Sequence, residues 1–156
     1  MKLTSLCYVT EGDNWLLLHR TKKENDENAG KWIGVGGKFE EGEAPEDCVL
    51  REVWEETGLK LTGYRFRGIV TFISDLWDDE MMFLFTADQF EGELKECDEG
   101  QLKWVSSSAL SGLPMWEGDR IFFDLIKSDA PFFSLKLCYE GEKLISAHLD
   151  GKPMQI

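Results

Sequence analysis

The run Gly37-Lys-Phe-Glu-Glu-Gly-Glu43-Ala-Pro-Glu-Asp-Cys-Val-Leu-Arg51-Glu52-Val53-Trp-Glu55-Glu56-Thr-Gly58-Leu59 determines how this chain is organised. Ala44-Pro45-Glu46 opens a helix. Proline is tolerated in a first turn, where its missing donor costs nothing, and acidic side chains suit the positive end of the helix dipole. Gly58 is the stop, because glycine takes the left-handed conformation that closes a helix. On this helix Glu52, Glu55 and Glu56 are spaced i, i+3, i+4, so their carboxylates share one face within a turn of each other. Val49, Leu50, Val53 and Trp54 project to another side as the expected core stripe.

Three like charges on one face repel, and a helix chosen for stability alone would interleave lysine or arginine there. A solvated acidic face is the plain alternative. A tight carboxylate cluster is also what hard cations such as Mg²⁺ or Mn²⁺ prefer, completed by water and substrate phosphate. Gly36 and Gly37, just before the loop, allow close approach of the backbone, so that a carbonyl can join such a shell. Arg51, beside Glu52, is placed to pair with Glu43 and steady the carboxylates.

Outward from this segment the chain alternates strands and turns. Lys2 to Thr10 and Trp15 to His19 read as a hairpin around Glu11-Gly12-Asp13-Asn14, followed by a polar loop over 20–30. Lys31 to Gly37 is a short strand running into glycines. After the helix, Tyr64 to Ser74 and Met81 to Ala87 are strands joined by an acidic turn, and Leu102 to Val105 is another. Ser106 to Leu113 and Gly118 to Ser128 have helical spacing, the second with Ile121, Phe122, Leu125 and Ile126 on one side. Phe132 to Tyr139 and Lys143 to His148 close the chain as a hairpin. The pattern is that of a single mixed α/β domain over residues 1–156.

With 156 residues the chain is long enough to bury a core without disulfides. Cys7, Cys48, Cys97 and Cys138 are scattered, with no Cys-x-x-Cys pair, and read as reduced thiols. No apolar run approaches the roughly 20 residues of a bilayer span, and the first residues lack the build of a secretory signal, so a cytoplasmic protein without a membrane partner is expected. Seventeen basic against 30 acidic side chains give a net charge of −13, which repels nucleic acid polymers. A small anionic ligand remains compatible if metal ions carry the positive charge. Monomer and homodimer are both open.

The segment quoted above resembles the signature of the Nudix hydrolases, Gly-x5-Glu-x7-Arg-Glu-U-x-Glu-Glu-x-Gly-U with U a bulky aliphatic residue. Gly37, Glu43, Arg51, Glu52, Val53, Glu55, Glu56, Gly58 and Leu59 fill every defined position. With residue frequencies of roughly 5–7%, a chance match is on the order of one in a million or less. The resemblance implies a helix–sheet–helix sandwich with a mixed β-sheet and Mg²⁺-dependent hydrolysis of a diphosphate linkage. Gly37, Glu52, Glu55 and Glu56 would be metal ligands. The general base would be one of these carboxylates or Glu99 from the loop Glu96 to Gly100, with Asp98 as the fallback and Glu99 also a candidate ligand.

The resemblance narrows toward the oxidised-purine nucleoside triphosphate diphosphatases, through Gly30 to Lys38, Glu96 to Trp104 and Met115 to Asp119. It implies a nucleotide as substrate, Trp116 as a stacking platform and Asp119 as a hydrogen-bond partner for the base. A core tryptophan and a first-turn capping acid are the plain alternatives for these two. Ile33 stands where the mammalian members carry an asparagine, so their base recognition does not transfer whole. Gly36, Gly37, Ile33 and, at the phosphates, Arg20 and Lys38 complete the candidate substrate contacts. The alternatives are another substrate, such as ADP-ribose or a dinucleoside polyphosphate, and a non-catalytic nucleotide-binding Nudix module. Isomerase relatives need a cysteine and histidines for which His19 and His148 are a thin supply.

Overall fold

The computed structural model describes residues 1–22 and 26–156; the middle of the polar loop expected over 20–30 lies outside the described residues. The strands are β1 (Lys2–Glu11), β2 (Asn14–Arg20), β3 (Trp32–Ile33), β4 (Val35–Lys38), β5 (Lys60–Ser74), β6 (Glu80–Glu91), β7 (Gly100–Ser106), β8 (Phe133–Glu140), β9 (Lys143–Leu149) and β10 (Lys152–Met154). Two α-helices, α1 (Pro45–Thr57) and α2 (Asp119–Lys127), and a 3₁₀ turn at Ser107–Gly112 complete the chain.

The sheet runs β10-β9-β8-β5-β6-β1-β2-β3, with β4 also on β1 and β7 also on β2. It is mixed, because β1 lies parallel to β6 and β5 parallel to β8 while the other pairs are antiparallel. The central strands β1 and β2 are buried on both faces, which is why they read as nearly continuous apolar runs, whereas β8 alternates buried and exposed residues. Alternate side chains of one strand enter opposite layers. Tyr8, Trp15 and Leu17 pack with Phe122, Phe123 and Ile126 of α2, whereas Cys7, Val9, Leu16 and Leu18 pack with Val49 and Val53 of α1. The helices therefore sit on opposite faces, as the expected sandwich requires. Truncating a buried aromatic such as Phe122 in this arrangement costs about 3–5 kcal/mol.

Helix α1 starts and stops where its sequence says. The Ala44 N–H is capped by Asp47 Oδ2 at 2.9 Å, and Gly58, at φ 79°, returns its N–H to the Trp54 carbonyl. Its buried residues are Cys48, Val49, Val53 and Thr57, and Trp54 is exposed, against expectation. The buried row advances by four residues through Val49, Val53 and Thr57, and Trp54 falls just past that narrow stripe.

Four further expectations are revised. The β1–β2 hairpin pairs only at Thr10–Trp15 and Glu11–Asn14, after which the strands diverge, β1 to β4 and β6 and β2 to β3 and β7. Residues 31–37 form two strands instead of one, separated at Gly34, where a Cβ would lie 2.8 Å from the Cys7 carbonyl oxygen. Ser107–Gly112 is 3₁₀ in place of α-helix, and α2 buries Phe123 more deeply than Ile121 or Leu125. The short strand β10, antiparallel to β9, had no alternating signal in so few residues.

Candidate active site

The turn from β4 into α1 brings the signature residues together. A Cβ on Gly36 would lie 2.0 Å from the Ser5 carbonyl oxygen, so only glycine lets β4 approach β1 this closely. A Cβ on Gly37 would lie 2.6 Å from the Glu52 carboxylate, so Gly37 leaves the space in which that carboxylate stands. The Arg51 guanidinium forms a two-pronged pair with Glu43 and donates through Nη1 to Glu52 Oε1 at 2.7 Å and Glu55 Oε2 at 3.3 Å. Nη2 also donates to the Lys38 carbonyl at 3.0 Å, tying the loop to the helix. These bonds pull the Glu43 carboxyl down to about 2.

Glu52 and Glu56 line a cavity of about 500 Å³, whereas Glu55 is exposed and is not part of its lining. Glu56 accepts the Gly36 N–H through Oε1 at 3.4 Å, and its other oxygen is buried without a hydrogen-bond partner. Burial, with Glu99 and Glu52 nearby, pushes its carboxyl up to about 9. An unpartnered buried carboxylate is costly unless something cationic compensates.

Glu99 reaches the same cavity from the turn before β7, and Asp98 beside it is exposed. That turn is set by Gly100, where a Cβ would lie 1.9 Å from the His19 carbonyl oxygen. The strand register places Gly100 opposite Arg20, and Arg20 Nη1 donates to Glu99 Oε2 at 2.9 Å while Nε donates to Asp26 at 2.8 Å. Arg20 is thus already held between two carboxylates at the cavity wall. Lys38 is exposed at the rim, and Gly36, Gly37 and Ile33 line the wall.

The same cavity is lined by Trp116 and Asp119. Trp116 is 6% exposed, and its indole N–H donates to Asn28 Oδ1 at 2.8 Å. The Lys31 ammonium lies 4.4 Å from its ring centre, and Phe72 and Tyr139 meet it edge-on at 5.2 and 5.0 Å. Trp116 is therefore a wedged wall and not an open shelf. Burial pushes the Asp119 carboxyl up to about 8, partly offset by Arg120 and Lys31. At neutral pH it is a neutral acid able to donate one hydrogen bond and accept others. Asn28, Lys31 and Tyr139 were not marked by sequence, since each is an ordinary polar or aromatic residue whose partner lies far along the chain.

The family model of the NUDIX domain matches residues 2–126. This chain belongs to the Nudix family. An uncharacterized Nudix hydrolase of Bacillus subtilis (strain 168) is 33% identical over 150 residues, 92% of this chain and 91% of the relative. An oxidized purine nucleoside triphosphate hydrolase of Danio rerio is 32% identical over 149 residues, 94% and 92% of the two chains. The crystal structure of a MutT protein from Bacillus halodurans superposes with a TM-score of 0.85 at 31% identity, covering 98% of this chain and 100% of that one. The chain is accordingly a Nudix hydrolase, an enzyme of the class that cleaves nucleoside diphosphate derivatives.

Nudix hydrolases generally use divalent metal ions. The donors here fit one: Glu52, Glu56 and Glu99 share a cavity wall, Glu56 has an orphaned buried oxygen, and all are the hard oxygen donors that Mg²⁺ takes. Among the described residues no three acidic, histidine or cysteine side chains already converge on one point. Arg51 holds Glu52 and Glu55 in its own hydrogen bonds. No helix among the described residues is long and apolar enough to cross a membrane.

Proposed function

We propose that this Nudix hydrolase cleaves oxidised purine nucleoside triphosphates such as 8-oxo-dGTP, with Mg²⁺, to the monophosphate and pyrophosphate. The observation that carries this reading is a cavity whose lining joins Gly37, Glu52, Glu56 and Glu99 with Trp116 and Asp119. The likeness to the Danio rerio hydrolase supports the same substrate class.

Glu52, Glu56 and Glu99, with Glu55 of α1 and the Gly37 carbonyl, would hold the metal. Bound there, the cation neutralises charge on the phosphates and makes the attacking water more acidic. Arg51 keeps Glu52 and Glu55 in place, and Glu99 is the candidate to take a proton from that water. Arg20, held by Glu99 and Asp26, faces the phosphates across the cavity wall, with Lys38 at the rim. Trp116 and Ile33 bound the base, and Asp119, holding its proton, bonds the base edge.

The test is kcat/KM for dGTP, 8-oxo-dGTP, 2-hydroxy-dATP and ADP-ribose with Mg²⁺, with Mn²⁺ and with EDTA. Preference for the oxidised purines, release of pyrophosphate and loss of turnover in EDTA are expected. A clear preference for ADP-ribose would replace the substrate, and absence of metal-dependent turnover on every nucleotide would remove the reading.

A further inference from the structure

We propose that the β8–β9 hairpin, which follows the segment matched by the family model, belongs to the base-binding part of the cavity, with Tyr139 the positioning residue that sets Trp116 and Asp119. This rests on reading Trp116 and Asp119 as the groups that meet the base.

Tyr139 is buried, its ring 5.0 Å from both Trp116 and Phe72. Its hydroxyl oxygen accepts the N–H of Gly118 at 2.7 Å, the residue directly before Asp119 at the start of α2. The next residue back is held as well, because the Leu144 N–H of β9 donates to Glu117 Oε1 at 3.3 Å. The hairpin turn reaches the face of the indole too: Glu142 Oε1 pairs with Lys31 Nζ at 2.5 Å, and that ammonium lies over the Trp116 ring. Residues 116–119 are thus gripped from strand, strand and turn of one hairpin.

Gly118 shows how close the grip is. Its backbone, at φ −69° and ψ −20°, is open to any residue, so conformation does not demand glycine there. A Cβ would nonetheless lie 2.5 Å from Leu137 Cδ1 and 2.7 Å from the Tyr139 hydroxyl oxygen. A larger residue would have to displace these two side chains of β8, so the hairpin packs directly on this backbone. Misplacing a binding group by a fraction of its contact distance weakens binding even when every contacting residue is present, and pre-organised walls spare a ligand the cost of ordering them.

The experiment uses the full chain with Tyr139→Phe, which removes one hydroxyl, and Gly118→Ala, which pushes on the same contact from the other side. Amide exchange at Gly118, melting temperature, and separate KM and kcat values are measured with the nucleotide the wild type hydrolyses best and with one differing only in its base. Tyr139→Phe is expected to speed Gly118 exchange and to raise KM about three- to tenfold, the worth of one hydrogen bond, while kcat stays within about twofold. Discrimination between the two bases should fall, and Gly118→Ala should move KM the same way. Unchanged KM and discrimination with only a lowered melting temperature would make the hairpin merely structural and overturn the proposal. A wild type indifferent to the base would overturn the base-binding reading along with it, so the two failures are told apart.

Discussion

Arg51 grips Glu43 with two parallel hydrogen bonds, Nε to Oε2 and Nη2 to Oε1, both at 2.8 Å. The same guanidinium extends Nη1 to Glu52 and Glu55, so one cation orders three carboxylates of the signature. Its side chain is 20% exposed and that of Glu43 13%, enough shielding for these bonds to count. Lysine has one point charge and no planar fork. Arg51→Lys is therefore expected to lower stability by about 1.5–3 kcal/mol, the range for charged hydrogen bonds, and to reduce kcat/KM as well. Urea unfolding and steady-state kinetics on one preparation check both.

Gly37→Ala separates folding from chemistry. The new methyl group would meet the Glu52 carboxylate and no backbone atom among its nearest neighbours, so the side chain swings aside while the strand remains. We expect kcat/KM to fall on the order of 100-fold with little change in melting temperature. A variant that stays fully active would show that Glu52 need not stand where it does.

Glu56→Gln should trade function for stability. Because burial pushes the Glu56 carboxyl up to about 9, folding at neutral pH takes up a proton that the unfolded chain has released; glutamine cannot ionise, so the variant escapes that cost and is expected to stabilise the metal-free protein by on the order of 1 kcal/mol. Wild type gains melting temperature on addition of Mg²⁺ because a ligand of the folded state stabilises it, and the variant loses most of that gain together with its turnover. Thermal melts with and without Mg²⁺ decide; a variant that keeps the full Mg²⁺ shift would exclude Glu56 as a ligand.

Asp119 predicts a stability slope with pH. Its carboxyl lies near 3.8 in an ordinary setting and about 8 in the fold, so the folded state keeps a proton that the unfolded chain has released. Stability is therefore highest at or below about pH 4, falls as pH rises toward 8, and levels off beyond. Asparagine cannot ionise, so the stability of Asp119→Asn relative to wild type should grow from pH 5 to pH 8 and then stay constant. Unfolding at pH 5, 7 and 9 checks the trend, and a difference independent of pH would mean that Asp119 is ionised in the fold.

Local features were legible before the fold was seen. Helix α1 kept its start at Pro45 and its stop at Gly58, and Glu52 and Glu56 lie on one wall, because i to i+4 relations are set by helix geometry alone. Trp54 was misplaced, since a wheel gives the direction of a side chain without the width of the surface that covers it. Trp116 lines the cavity and is wedged between Phe72, Tyr139 and Lys31, none of which its neighbours in sequence announce.

By itself the sequence determined the family, the acidic face of α1, and where that helix starts and stops. Only the tertiary structure decided that Glu99 meets Arg20, 79 residues away, that Asn28 holds Trp116 across 88, and that Tyr139 holds Gly118 across 21. The reason is the range of the forces: helix bonds and turn conformations are settled within a few residues, whereas contacts across a sheet exist only after strand order and register have been chosen by burial of the whole chain.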